Sequence, residues 1–91
     1  MSTNADTTNK MKLTDLSVGR DARVIAIKGS GRVTQRLMEM GVIPGVAIRI
    51  IKMAPFGDPI EVRVRGYSLA MRRVEANVIE VSIQIRPDAD E

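Results

Sequence analysis

The chain of 91 residues contains no cysteine, no histidine and no tryptophan. Without thiolate or imidazole it has no disulfide, none of the usual ligands for a borderline metal ion, and almost none of the nucleophile and base pairs on which covalent catalysis relies. The composition therefore argues against an enzyme and points to binding. Absence of cysteine also suits a reducing compartment. Aromatic residues are nearly missing, with Phe56 and Tyr67 the only two. One ring of each kind cannot line the groove that captures proline-rich peptides, nor build a platform on which unpaired bases stack. No apolar run approaches the roughly 20 residues of a membrane-crossing helix, and none marks a leader between Met1 and Met11. A soluble, cytoplasmic chain is expected, one that reaches a membrane only through a partner.

The charge is unevenly placed. The whole chain carries +3, but between Lys12 and Gln84 twelve basic residues stand against seven acidic ones, a balance of +5. Beyond them, Arg86 is outweighed by Asp88, Asp90 and Glu91. A mildly basic domain is steered toward acidic proteins, nucleic acid or anionic membranes, and charge alone does not choose among these.

Punctuation fixes the organisation. Residues 1–11 are rich in Ser, Thr and Asn without apolar periodicity and read as a flexible tail; residues 86–91 read as an acidic tail after a strand. Residues 12–85 form the domain. Leu13, Leu16 and Val18 are placed to close one end of a core, and Ala22–Lys28 is a first strand stopped by Gly29-Ser30-Gly31. Val33, Leu37 and Met40 then recur at helical spacing, which predicts a helix over about 31–40 with those residues inward. Gly41 supplies its left-handed terminator and Pro44 bars continuation. Val46–Met53 has apolar residues on both parities, as in a central strand. The cluster Pro55-Phe56-Gly57-Asp58-Pro59 turns that strand into Ile60–Arg65, where Ile60, Val62 and Val64 alternate with Glu61, Arg63 and Arg65. A short strand carrying Leu69 and Met71, a tight helical turn at Val74–Ala76, and a last strand with Ile79, Val81, Ile83 and Ile85 on one face complete the chain. The pattern is mainly β: about five short strands with one inserted helix, closing into a small, partly open barrel.

Three of these segments also carry a family resemblance. Arg36-Leu37 through Met40-Gly41-Val42-Ile43-Pro44-Gly45, then Ala54 to Ile60, then Gly66 to Arg72 with Glu75-Ala76, in this order and spacing, closely resemble the FeoA family over about Leu13 to Ile83. Met40 and Met71 stand where leucine is more usual, an exchange of nearly equal volume. The resemblance implies an SH3-like barrel, similar also to the C-terminal barrel of metal-dependent repressors. It further implies a cytoplasmic accessory role in ferrous iron transport, with the membrane transporter FeoB and its GTP-hydrolysing cytoplasmic part as partner.

No cofactor is expected. Gly29-Ser30-Gly31 lacks the Gly-Lys-Ser/Thr of a phosphate loop and reads as a plain turn. Carboxylates alone, at Glu39, Asp58, Glu61 and Glu75, are scattered and make a poor selective site for ferrous iron, so any iron link is expected to run through the partner. Asp58 reads as a turn residue bonding its local backbone. Arg49, Arg63, Arg65, Arg72 and Arg73 form a candidate basic sheet face, for which RNA binding is the alternative function and solvent-exposed alternation the simpler reading. The expected docking surface is the helix with the segment after it and the loop 53–59: Arg36, Met40, Val42, Pro44, Pro55, Phe56 and Asp58. Phe56, at the tip of that loop, either folds over the barrel end or meets a partner. Exposed strand edges leave room for weak self-association.

Overall fold

A strand on each side of a sheet's interior needs a hydrogen-bonding neighbour, and this requirement recruits more of the chain than apolar pattern marks. The computed structural model describes the backbone of residues 7–85 and the side chains of residues 10–83. The readings of loose segments at 1–6 and 86–91, and of an inward Ile85, lie outside the described residues. Six strands, β1 (Thr7–Lys12), β2 (Asp21–Ile27), β3 (Ala47–Met53), β4 (Ile60–Val64), β5 (Tyr67–Met71) and β6 (Ile79–Ile85), form one antiparallel sheet in the order β1-β6-β2-β3-β4-β5. Helix α1 (Arg32–Glu39) is inserted after β2, and α2 (Arg73–Ala76) lies between β5 and β6.

The expectation of five strands and a tail through residue 11 is corrected by β1. Thr7 to Lys12 pairs residue for residue with Ile85 to Glu80. Its sequence has no apolar alternation because it is an edge strand: what holds it is the free backbone edge of β6, with Met11 tucked against the core. A short 3-10 turn, Leu13–Asp15, then buries Leu13 and Leu16 under one end, whereas Val18 points outward and is about half exposed.

The core follows the strand period of two. Ala22 and Val24, Ile48 and Ile50, Ile60, Val62 and Val64, and Ile79, Val81 and Ile83 all point inward and are buried. On β3 the outward positions Ala47 and Arg49 are exposed; only past the register shift between Ile50 and Lys52 does an apolar residue, Ile51, sit half-buried on the other face. Helix α1 contributes one fully buried residue, Leu37, with Met40 half-buried. Val33, expected inward, is largely exposed, so only the second turn of α1 reaches the core.

The end of α1 is closed by a Schellman motif. Gly41 has φ 96°, its N–H donates to the Met38 carbonyl, and the Val42 N–H donates to the Leu37 carbonyl at 3.0 Å. Val42 and Leu37, joined by that bond, are both fully buried, which is the apolar contact such a motif brings with it. Sequence punctuation at Gly41 thus fixes both where the helix stops and how it is seated.

Candidate docking surfaces

Helix α2 bonds two of the seven candidate residues, Arg36 through a buried acid and Asp58 through a backbone N–H. Glu75 is only 7% exposed, and a buried carboxylate is costly unless its lone pairs are filled. One oxygen accepts the Arg72 N–H at 2.8 Å and so satisfies the start of α2; the other accepts Arg36 Nη1 at 2.7 Å from α1. Arg36, expected on the docking surface, is therefore engaged in joining the two helices. Asp58 also serves α2: its Oδ1 accepts the Arg73 N–H at 3.0 Å, fifteen residues along the chain rather than in its own turn. The loop 54–59 is drawn close in consequence, and a side chain on Gly57 would meet the Arg73 guanidinium at 3.0 Å.

Phe56 projects from the loop so held and is 95% exposed, beside an exposed Pro55. It does not fold over the barrel end. Val74, next to Arg73, is also largely exposed, so the α2 end presents two apolar side chains on a base of ionic contacts. The remaining candidates lie elsewhere. The Met40 carbonyl accepts the Tyr67 hydroxyl, Pro44 is exposed between α1 and β3, and Val42 is wholly inside the core, so Val42 supports a surface without presenting one.

A second surface forms on the outward side of β2, β3 and β4. Asp21 stands opposite Arg49, and Arg49 opposite Arg63. Together with Arg23 and Arg65 they line a shallow groove of about 540 Å³. Arg49 grips Asp21 through two bonds, Nε at 2.6 Å and Nη2 at 3.1 Å. The hydrogen bond from Arg49 holds the Asp21 carboxyl below its ordinary value, and the same bond raises the guanidinium. Arg23 donates to the Gly45 carbonyl at 2.7 Å. Arg63 and Arg65 have no acidic partner among the described residues. The expected basic face thus keeps Arg49, Arg63 and Arg65, gains Arg23, and loses Arg72 and Arg73 to the head of α2. The alternation Asp21-Ala22-Arg23-Val24 already carried the signal for Arg23.

Among the described residues no three carboxylates gather to hold a cation, and no helix is long and apolar enough to cross a membrane. Glu75 and Asp58 are committed to α2, and Glu61 lies 3.9 Å from Lys52 on β3.

The six-stranded antiparallel sheet, with register shifts in β2 and β3 and helix α1 inserted between these strands, is an SH3-like barrel. The chain belongs to the FeoA domain family, whose pattern matches residues 11–83. It is 34% identical over 73 residues to the Fe(2+) transport protein A/Fe(2+) transporter FeoB fusion protein of Porphyromonas gingivalis; the match covers 80% of this chain and 9% of that much longer protein. The FeoA protein of Chlorobium tepidum superposes with a TM-score of 0.78 at 39% identity, over 87% of this chain and 75% of that one. Stenotrophomonas maltophilia FeoA, solved in complex with zinc and described as a prokaryotic SH3 domain protein, gives 0.68 at 25% identity, over 82% and 89%. The resemblance expected from the three sequence motifs therefore holds.

Proposed function

We propose that this chain is a non-catalytic accessory protein of ferrous iron uptake that docks on the cytoplasmic part of a FeoB-type transporter and modulates its GTPase or transport cycle. One observation carries this reading: in the Porphyromonas gingivalis relative, a segment similar to this chain and FeoB share one polypeptide. A covalent link raises the effective concentration of two modules for each other to roughly the millimolar range, which favours modules that work in contact. The α2 end supplies a suitable surface. Phe56 is an exposed aromatic anchor on a loop that Asp58 ties down, and binding energy concentrates in such preorganised aromatic side chains. Work at the inner face of the membrane follows from docking there.

Calorimetric titration of the full chain against the purified transporter and its cytoplasmic portion, each with GDP and with a GTP analogue, tests the proposal. Saturable binding is expected, and Phe56→Ala should weaken it about tenfold while leaving the melting temperature unchanged. No binding in any of the four combinations would remove the proposal. Binding that Phe56→Ala leaves intact would keep the partner and discard the surface.

A further inference from the structure

The outward arginine row of β2, β3 and β4 has a shape and charge that no contact within the described residues explains. Like charges directly opposite on neighbouring strands repel, yet Arg49 and Arg63 are paired in this way and Arg65 follows on the same edge of the groove. Asp21 neutralises one guanidinium, and among the described residues the others have no carboxylate. The two-bond grip of Asp21 on Arg49 illustrates how a carboxylate fits a planar guanidinium fork on this face. A nucleic-acid strand is favoured less, since the groove is lined by no aromatic ring on which a base could stack.

We propose that this row is a carboxylate-binding surface occupied, in the free protein, by the chain's own acidic segment 86–91. The strand register brings the segment there. β6 is the direct neighbour of β2, antiparallel to it, with Ser82 opposite Arg23. From this last pair with β2, β6 runs three residues further, to Ile85, in the direction of Asp21, whose partner on β3 is Arg49. Strands lie about 5 Å apart, so the Arg49 backbone is roughly 10 Å from β6 and the Arg63 backbone roughly 15 Å. Extended chain covers about 3.4 Å per residue, which carries Asp88 about 10 Å and Asp90 about 17 Å from Ile85. Asp88, Asp90 and Glu91 are thus within chain reach of the row, and three carboxylates there would offset its surplus charge. An acidic segment of another protein gains this face only by displacing them. This surface is separate from the α2 end, and the inference does not depend on what docks there.

Paramagnetic relaxation in the full chain tests it. The variant Ala89→Cys introduces the chain's single thiol for a nitroxide label and keeps all three acids. Amides of Ala47, Arg49 and Arg63 should then broaden about threefold more than in the same labelled chain carrying Asp88→Asn, Asp90→Asn and Glu91→Gln, as expected for a few screened ion pairs. The excess should disappear at about 0.5 M salt, and with Arg63→Gln in place of the neutralised segment. Amides on the exposed side of α1 should be equal in all samples. Equal broadening of the row with and without the acids would overturn the assignment and leave the face to an acidic partner or a nucleic acid supplied from outside.

Discussion

The α2 end and the outward sheet face both collect arginines, and they use them in opposite ways. At α2, Arg36 meets a carboxylate that is buried and already bonded to backbone, so the ion pair is part of how two helices are joined. On the sheet face, Arg63 is exposed opposite another arginine and meets no carboxylate among the described residues. Burial of the acid, and not the arginine itself, makes the difference. A guanidinium facing a buried carboxylate is structural, whereas one left on an open strand face is available to a ligand.

That contrast breaks most readily at Glu75. Glu75→Ala leaves the Arg72 N–H at the head of α2 without its acceptor and frees Arg36, and should destabilise the protein by about 1–3 kcal/mol in urea unfolding. A loss below about 0.5 kcal/mol would mean that this ion pair is as peripheral as one on the open face. Arg63→Gln should move stability by no more than about 0.5 kcal/mol, and upward if anything, because it relieves a like-charge pair. A marked loss there would assign Arg63 to the scaffold.

The smallest effect concerns pH. Arg49 holds the folded Asp21 carboxyl below 3.8, its ordinary value, so the pair's contribution is complete above about that pH. It fades as pH falls through the lower, folded value, since protonation then removes the acceptor. Both groups are largely exposed and screened by salt, so the contribution is slight. The difference in urea midpoint between the wild type and Asp21→Asn should accordingly be small at neutral pH and vanish in strong acid. A difference that persists when Asp21 is protonated would show that the side chain acts through something other than its charge.

Much of the barrel was legible because single residues dictate it. Gly41 and Pro44 place the end of α1, and the alternation of Ile60, Val62 and Val64 with Glu61, Arg63 and Arg65 places β4 and its two faces. β1 escaped because Thr7 to Lys12 is held by backbone pairing with β6, which leaves no mark on side-chain pattern. Val33 misled for a related reason: helical spacing defines a face but does not say how many turns of that face reach the core. At the α2 end the contacts of Asp58 and Arg36 were not legible, since Arg73 and Glu75 come to them from 15 and 39 residues away. Glu75 itself left one local sign, an acid three residues after the residue that precedes a helix.

Three attachments clamp α1 to the rest of the molecule: Glu75 holds Arg36, the Tyr67 hydroxyl holds the Met40 carbonyl, and Leu37 with Val42 is sunk in the interior. A load applied to this helix would therefore be shared at once by the sheet, by α2 and by the interior, with no hinge between them to take it up.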